Sequence, residues 1–534
     1  MQSLARLLLA FACLLLGPLA VIAKESPADT NKITSLSPEQ ARKLVETFKG
    51  NDLYLEGLTT LDSNTAKALA EFKGHSLLLD GLTTLDAETA KALAEFKCEG
   101  LVLDGLTTLD ADTAKAIAAF KGQWLRLNGL TALDANTAKT VAEFKGHWLH
   151  LNGLTALDAE TAKAIAEFKC QWLTFNGLTT LNAETAKALA EFEGRALSFG
   201  GLTTLNAETA KALADFKGQV LVFDGLTSLD ADTAKAIAKF EGRRLHLIGL
   251  TTLDTNTAKA LAEFKGEGLV LDGLTTLDAD TAKAIAAFKG QYLRLNGLTA
   301  LDAATAKAIA AIEGQYLHLD GLTALDADTA KALAEFKSEG LLLDGLTTLD
   351  VDTAKALADF KGQALFLDGL TTLDVDTAKA IAAFKGQYLR LNGLTTLDAD
   401  TVKELAEFKG QLLYLADEAK KAFFKNTPLT LETAWAWATL SAGDLSAITA
   451  FESPDSVAIA KALATRNGPL ALPNLKKISP KTLTALIEKQ DVEIPLIETL
   501  ELIPEPDGSV TDDFVIPEWL KVRQNQQRAA QQDQ

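Results

Sequence analysis

Cysteine and histidine are scarce in this chain of 534 residues, which contains three cysteines and five histidines. Cys98 and Cys170 stand three copies of a 24-residue repeat apart, roughly 14 Å at the usual strand spacing, so we expect free thiols rather than a disulfide. His150, His246 and His318 are three or four copies apart, too far to bind one metal ion, and no nucleophile motif or phosphate-binding glycine loop accompanies them. The sequence therefore predicts a protein that is not an enzyme and has no cofactor.

Basic residues are in the minority, with 52 Lys and Arg against 71 Asp and Glu, which gives a net charge of −19. A field of this sign repels phosphate backbones and anionic membrane surfaces, so nucleic acid is not an expected partner. Long apolar runs are missing after residue 24, and we expect no later segment to span a membrane. Wholesale disorder is excluded as well, because 48% of the residues are hydrophobic.

The N-terminus has the pattern of a secretory signal peptide over residues 1–23. Arg6 supplies the positive charge, an apolar stretch runs from Leu7 to Val21, and Ala23 offers a small residue before a cleavage site. The alternative is a membrane anchor, but the uncharged run is short and Gly17-Pro18 interrupts it. We therefore expect a protein that is secreted, or that resides in the periplasm or cell envelope.

The dominant feature of the sequence is a motif, Gly-Leu-Thr-x-Leu, that recurs every 24 residues in fifteen copies without an inserted residue. Such strict phase predicts that each copy makes the same turn of a superhelix and stacks on the preceding copy. Its glycines are Gly57, Gly81, Gly105, Gly129, Gly153, Gly177, Gly201, Gly225, Gly249, Gly273, Gly297, Gly321, Gly345, Gly369 and Gly393.

Each copy is expected to contain one strand and one helix. Leu53-Tyr54-Leu55-Glu56 alternates apolar and polar residues, as a strand with one buried face does. Gly57 permits a turn, and Asp62 stands at the N-cap of a helix predicted from Ser63 to Lys73. Gly74 is predicted to be its C-cap.

These residues resemble the leucine-rich repeat family over roughly residues 33–500, and Leu-x-Leu-x-Gly-Leu-Thr-x-Leu looks most like the secreted bacterial arrays of planctomycete type. The resemblance implies an α/β leucine-rich-repeat solenoid, a horseshoe with short parallel strands on the concave side, helices outside and a partner on the concave side. The family's usual asparagine is missing from the motif, since Leu58 and its equivalents occupy its place. Buried amides then need another acceptor, and we expect a stacked hydroxyl ladder at Thr59, Thr83 and Thr107.

The chain is expected to divide around this array. Irregular copies flank the regular ones, and the Gln-rich end cannot bury a core. The predicted segments are a signal peptide at 1–23, a linker with an N-terminal capping repeat at 24–52, fifteen repeats plus a final strand at 53–416, degenerate repeats forming a C-terminal cap at 417–520, and a disordered tail at 521–534.

The strand positions between the paired leucines vary from copy to copy, whereas the helices scarcely change. Aromatic residues recur at the first of these positions, and on stacked strands they would form a strip that suits a peptide, a protein loop or a glycan. Two alternatives stay open: the aromatic ladder only stabilises the sheet, or a duplicated block explains its second occurrence. The candidate partner-binding residues are Trp124, Trp148, Trp172, Arg126, His150, Asn128, Asn152, Tyr292, Tyr316 and Arg294.

The third strand position is Asp or Asn in most copies. Carboxylates stacked there could attract calcium, but no calcium-loop spacing accompanies them, and a solvated acidic face is the favoured interpretation. The sequence thus predicts a monomeric protein-interaction module whose partner is a protein or peptide. The alternatives are a structural envelope protein without a discrete ligand and a glycan-binding protein.

Overall fold

The structure is a computed structural model that describes residues 30–440, 445–465, 469–506, 508 and 516–532. The predicted signal peptide lies outside these residues. Contacts divide the chain into two compact units at Val270 and Leu271. Each unit contains a parallel sheet whose strands follow one another in chain order, ten strands in the first unit and six in the second.

The strands pair in register at an offset of one repeat, so that Leu53 lies opposite Leu77 and Leu77 opposite Leu101. Leu53, Leu55 and Leu58 are fully buried, which places the repeat's leucines in the core between the strands and the helices. Helices of successive repeats pack on each other and strands pair with strands. The predicted α/β solenoid with strands on one side and helices on the other is confirmed.

In the first unit the regular elements begin with an N-terminal helix and then alternate strand and helix. The strands are β1 Asp52–Tyr54, β2 Ser76–Leu78, β3 Gly100–Val102, β4 Trp124–Arg126, β5 Trp148–His150, β6 Trp172–Thr174, β7 Ala196–Ser198, β8 Val220–Val222, β9 Arg244–His246 and β10 Gly268–Val270. The helices are α1 Pro38–Thr47, α2 Ser63–Leu69, α3 Ala87–Ala94, α4 Ala111–Ala118, α5 Ala135–Val141, α6 Ala159–Ala166, α7 Ala183–Ala190, α8 Ala207–Ala214, α9 Ala231–Ile237 and α10 Thr255–Leu261.

The second unit continues the alternation through six regular strands and then becomes less regular. Its strands are β11 Tyr292–Arg294, β12 Tyr316–His318, β13 Gly340–Leu342, β14 Ala364–Phe366, β15 Tyr388–Leu391, β16 Leu412–Leu415, β17 Leu470–Ala471, β18 Lys477–Ile478, β19 Val492–Glu493 and β20 Glu501–Leu502. Its helices are α11 Ala279–Ile285, α12 Ala303–Ile309, α13 Ala327–Leu333, α14 Val351–Ala358, α15 Val375–Ala382, α16 Ala399–Ala406, α17 Asp417–Asn426, α18 Ala434–Leu440, α19 Ser456–Ala464, α20 Pro480–Ile487 and α21 Glu518–Gln532.

Each repeat helix starts where the sequence predicts and ends earlier. The Asp62 side chain accepts hydrogen bonds from the backbone N–H groups of Asn64 and Thr65, as an N-cap does. The helix ends at Leu69 rather than Lys73, so Gly74 is not its C-cap. A tight turn follows, in which Phe72 N–H donates to the carbonyl of Leu69 at 2.9 Å, and the turn carries the phenyl ring into the core.

The glycine that opens each Gly-Leu-Thr motif is required by close packing between repeats. A Cβ added to Gly153 would lie 1.9 Å from the carbonyl oxygen of Asn128 in the preceding repeat. Among the glycines that the structure describes, only Gly508 has a positive φ, so the motif glycines are not needed for a left-handed backbone. The strict recurrence of this glycine therefore reflects the contact distance between neighbouring turns of the solenoid.

The turn that follows each repeat helix, residues 70–74 in the first repeat, carries a phenylalanine into the core. The rings of successive repeats form a column. Phe216 is fully buried, and its ring stacks nearly parallel to Phe192 and Phe240 at centroid distances of 6.2 and 6.1 Å. The second unit contains a column of the same kind, in which Ile312 takes the place of one ring. Each ring packs only against adjacent repeats, so stability accumulates copy by copy.

The chain ends also contain elements of the repeat. Helix α1 begins with a capping box, in which Ser37 and Gln40 each accept a hydrogen bond from the other's backbone N–H. Near the other end, strand β17 is followed by Ser479, whose side chain caps helix α20 by accepting from Thr482 N–H. The order of strand, N-cap and helix therefore recurs within residues 470–487.

The segment predicted to be a disordered tail from residue 521 is instead helical as far as Gln532. Gln524 is buried and its amide donates to the carbonyl of Pro495 at 3.1 Å, while Arg523 donates to the carbonyl of Val492 at 2.9 Å. Polar side chains thus satisfy backbone carbonyls of the last irregular repeat. The Gln-rich composition did not reveal this, because the helix is attached mainly by hydrogen bonds rather than by an apolar core.

Candidate functional site

The three tryptophans of the candidate site lie side by side on consecutive strands. Trp124 pairs in register with Trp148, and Trp148 with Trp172. All three are partly exposed, whereas the leucine that follows each of them is fully buried. We call Trp124, Trp148 and Trp172 the tryptophan strip.

The contacts of the strip differ from one end to the other. Trp124 lies over Gly100 on the neighbouring strand, where an added Cβ would meet the indole at 1.9 Å, and its ring is 6.3 Å from that of His75. The ring of Trp148 makes an edge-to-face contact with the ring of His147, with the ring centroids 5.5 Å apart. Trp172 packs against a buried apolar cluster on the next two strands. Both ends of the strip are therefore partly used in packing, and Trp148 is its middle residue.

The residues predicted to form polar edges of the strip have internal partners. Arg126 forms an ion pair with Asp104, and only 24% of its side chain is exposed. The His150 Nδ1 lies 3.0 Å from the hydroxyl of Thr174. Burial, together with the positive charge of Arg126, lowers the pKa of His150 to about 4, so this imidazole is neutral at physiological pH.

The third strand position forms a ladder of hydrogen bonds between repeats, not the solvated acidic face that the sequence suggests. Asp104 Oδ1 accepts the N–H of Asn128 at 2.9 Å, and Asn128 Oδ1 accepts the N–H of Asn152 at 3.0 Å. We call this series the Asx ladder. Each side chain of the ladder accepts the backbone N–H of the residue 24 positions later. The accepting residues are Asp80, Asp104, Asn128, Asn152 and Asn176 in the first unit, and Asp272, Asn296, Asp320, Asp344 and Asp368 in the second.

The predicted threonine ladder is therefore wrong. Thr59, Thr83 and Thr107 are exposed, because the chain turns outward immediately after the buried leucine. The threonine that is buried in each repeat lies in the helix instead; the hydroxyl of Thr113, for example, donates to the carbonyl of Leu85 in the preceding repeat at 3.2 Å. The family's motif asparagine is missing from this chain, and the side chains of the Asx ladder accept backbone N–H groups in its place.

Buried leucines in register, one short strand and one helix per 24 residues, and a side-chain ladder along the strand ends together define the architecture. The fold is a leucine-rich-repeat solenoid. No family model matches the chain, and no curated protein is detectably similar to it in sequence.

Three solved structures are similar to this chain at low identity. A TLR13 chain in complex with ssRNA13 has 18% identity and a TM-score of 0.40, with 70% of this chain and 55% of that chain covered. The Toll–Spatzle complex from Drosophila has 13% identity and a TM-score of 0.40, with 68% of this chain and 53% of that chain covered. The yeast Rad7–Elc1 complex has 14% identity and a TM-score of 0.33, with 62% of this chain and 90% of that chain covered. The chain thus spans a little over half the length of the TLR13 and Toll-complex chains that it matches.

The aromatic residues predicted in the second unit of the leucine-rich-repeat solenoid are less accessible. Tyr292 is only 2% exposed, because His318 lies against it with the rings 6.2 Å apart, so it cannot reach a partner. Tyr316 is partly exposed, and Arg294 is ion-paired with Asp272 with 20% of its side chain exposed. This copy of the pattern is therefore a weaker candidate than the tryptophan strip.

Asn128 and Asn152 are likewise engaged in the Asx ladder, since the Oδ1 of each accepts the next repeat's backbone N–H at 3.0 Å. In the described part of the chain, no group of three or more His, Cys, Asp or Glu residues could hold a metal ion. No helix among the described residues is long and apolar enough to cross a bilayer. Cys98 and Cys170 are buried free thiols, as predicted.

Two aspartates of the Asx ladder have unusual protonation behaviour. Burial, with the neighbouring carboxylates of Asp368 and Asp320, raises the pKa of Asp344 to about 6, and burial with Asp104 raises that of Asp80 to about 6. Since the pKa is raised in the folded state, each group contributes stability that is complete below the unfolded value near 3.9 and is lost as pH rises through 6. At neutral pH these charges therefore destabilise the solenoid.

We expect Asp344→Asn to stabilise the protein at pH 7.5, because the amide keeps an acceptor for Asp368 N–H and removes a charge beside two other carboxylates. Solvent screening limits the gain to about 1 kcal/mol, or roughly 2 °C in Tm. Thermal melts should show the difference from wild type shrinking between pH 7 and pH 4. Glu335→Gln, at an exposed position in the turn after helix α13, is the control; an Asp344→Asn protein that melts below wild type at pH 7.5 would contradict the assignment.

The sequence pattern did not predict one group of residues that lies near the tryptophan strip. A small cavity of about 50 Å³ is lined by Trp172, Arg195, Gln219, Val220, Arg243 and Arg244. Three of these residues, Arg195, Gln219 and Arg243, precede their strands and so lie outside the three variable strand positions of the repeat. The available signal was the Arg243-Arg244 pair in an acidic chain.

Proposed function

We propose that the protein is an exported, non-enzymatic interaction module that binds a protein or peptide on its strand face, along the tryptophan strip. The observation that carries this proposal is the register of three partly exposed indoles on consecutive strands. Indole rings supply large contact areas at a small cost in conformational entropy and are enriched among residues that dominate binding energy. Trp148 is the expected centre of the contact.

The distribution of sequence variation supports the strand face rather than the helix face. Helices α3, α6 and α7 are nearly identical, with the sequence Ala-Glu-Thr-Ala-Lys-Ala-x-Ala. The strands of the same repeats read Ser-Leu-Leu, Trp-Leu-His and Trp-Leu-Thr. A specific partner can be distinguished only by surfaces that differ between repeats, and those surfaces lie on the strands.

The net charge of −19 favours a protein or peptide partner over nucleic acid. The similar structures are of complexes with a single-stranded RNA, with Spatzle and with Elc1. Export follows from the sequence pattern of residues 1–23, and the envelope or the exterior of the cell is the proposed location.

Site-specific photocrosslinking in the cells that produce the protein tests the proposal. A photoreactive phenylalanine derivative in place of Trp148 should crosslink a defined partner, because the residue is partly exposed at the centre of the strip. The same group in place of Lys139, exposed on helix α5, is the matched control on the helix face of the preceding repeat. The covalent complex should be recovered from the medium or the envelope fraction.

Three outcomes would count against the proposal: crosslinking from position 139 alone, equal crosslinking from both positions, or none from position 148. A glycan attached at position 148 would identify carbohydrate binding instead. A thermal melt of Trp148→Ala separates binding from packing, since a strip that serves only the sheet predicts a large loss of stability. We expect a small loss, because the indole is already partly exposed.

A further inference from the structure

The cavity beside Trp172 lies where three neighbouring strands begin, and two of these strands have arginines at that point. Arg195 immediately precedes β7, Gln219 precedes β8, and Arg243 precedes β9, whose first residue is Arg244. In-register pairing of the strands brings these positions together. We call Trp172, Arg195, Gln219, Val220, Arg243 and Arg244 the arginine notch.

Neighbouring side chains fix two of the guanidinium groups in place. Arg195 donates to the amide oxygen of Gln219 at 3.1 Å, and Arg243 forms a two-point ion pair with Glu267, with both contacts at 2.7 Å. A guanidinium has five N–H donors, so a single bond to Gln219 leaves Arg195 able to bind a further acceptor. Since Gln219 is neutral, this contact does not offset the positive charge of Arg195.

The notch also has an apolar wall. Trp172 is partly exposed and packs against Ala196, Val220 and Val222. An indole held in this way beside guanidinium groups offers an apolar surface next to donors that match the two oxygens of a carboxylate. The site therefore favours a ligand with an apolar group adjacent to a carboxylate.

The size of the notch and the charge of the chain restrict the ligand further. A cavity of about 50 Å³ accepts a group as small as a carboxylate but cannot enclose a sugar ring. The net charge of −19 opposes a polyanion, whereas one carboxylate on an otherwise weakly charged segment meets little repulsion. An Asp or Glu side chain of a peptide fits both restrictions.

We propose that the arginine notch binds the carboxylate of an acidic residue in the partner, and that an apolar neighbour of this residue packs on Trp172. This inference rests on the proposed function and deepens it by naming the chemistry of the partner. Arg195 would form the charge-assisted contact, and Arg243, held by Glu267, would shape the rim. The acidic residue would thus set the position of the partner at one end of the tryptophan strip.

Selection of a random peptide library on the intact protein tests the notch. Peptides recovered by the wild type should be enriched in Asp or Glu next to an apolar residue, and the best of them should be measured by fluorescence anisotropy. Arg195→Gln, or Asn in place of the peptide's acidic residue, should weaken binding about tenfold, the loss of one charge-assisted hydrogen bond. Lys211→Gln, on the exposed face of α8, should leave it unchanged.

The proposal is overturned if no peptide is selected, if the selected peptides lack acidic residues, or if Arg195→Gln binds like wild type. Tighter binding of a sulfated oligosaccharide or a single-stranded oligonucleotide than of the selected peptide would also overturn it, in favour of a polyanion site. The proposed function is judged separately by crosslinking from position 148. If a partner is captured at position 148 but shows no preference for acidic residues, the proposed interaction module is retained and only the proposal for the notch is rejected.

Discussion

Phe216→Ala is expected to lower the free energy of unfolding by about 3–5 kcal/mol, the usual cost of removing a fully buried phenylalanine. Phe216 has no exposed surface, and its ring stacks on Phe192 at 6.2 Å and on Phe240 at 6.1 Å. Removing it leaves a cavity between two repeats that cannot collapse, because the strands and helices on either side hold their spacing. Guanidinium unfolding followed by tryptophan fluorescence measures the loss.

The chain itself provides the control for this substitution. Ile312 occupies the same place in its own repeat and is buried to 3% exposure, so a branched aliphatic side chain can fill the column. Phe216→Ile should therefore cost less than half as much as Phe216→Ala. A loss below 1 kcal/mol for the alanine variant would show that adjacent repeats close around the cavity, contrary to the rigid column inferred here.

The sequence was sufficient to predict the architecture because the repeat is unbroken. Fifteen copies in phase fix the pairing of strands at an offset of 24 residues, and the alternation around Leu53 and Leu55 fixes which face is buried. The N-cap at Asp62 is a local motif, and it forms as predicted. Features that depend on one repeat, or on its exact copy, could therefore be derived.

Features that depend on contacts between unlike positions could not be predicted. The helix stops at Leu69 although Ala, Glu and Phe give no stop signal, because the chain must return to the next strand and place Phe72 in the core. Tyr292 lies at a strand position that the pattern exposes, yet the ring of His318 covers it. Periodicity gives the position of a side chain and not the identity of its partner.

The candidate site shows the same division. The pattern correctly places the three tryptophans on one face, but it cannot show that Arg126 is held by Asp104 or that Asn128 is consumed by the Asx ladder. An Asp at a strand end has the same appearance in a sequence whether it faces water or accepts a hydrogen bond from the next repeat. The proposed partner-binding surface is consequently narrower than the strand face as a whole.

Asp104→Ala is expected to destabilise the protein by about 3 kcal/mol, because it removes two partners at once. The N–H of Asn128 loses its acceptor, and the mostly buried guanidinium of Arg126 loses its counter-charge. Asp104→Asn keeps an oxygen that can accept from Asn128 N–H and loses only the charge opposite Arg126, so it should cost about 1 kcal/mol. Hydrogen exchange at the Asn128 amide should accelerate in the alanine variant only.

Thr107→Ala decides between the Asx ladder and the threonine ladder that the motif suggests, since Thr107 lies three residues after Asp104 and is exposed. It should change stability by less than about 0.5 kcal/mol, as surface substitutions do. A larger loss of stability for Thr107→Ala than for Asp104→Ala would show that the threonines, and not the Asx ladder, hold neighbouring repeats together. The Asx residues would then be available to a ligand. With the opposite result, Asp104 positions Arg126, two residues after Trp124 on β4, and any effect of Asp104→Ala on partner binding is exerted through that arginine.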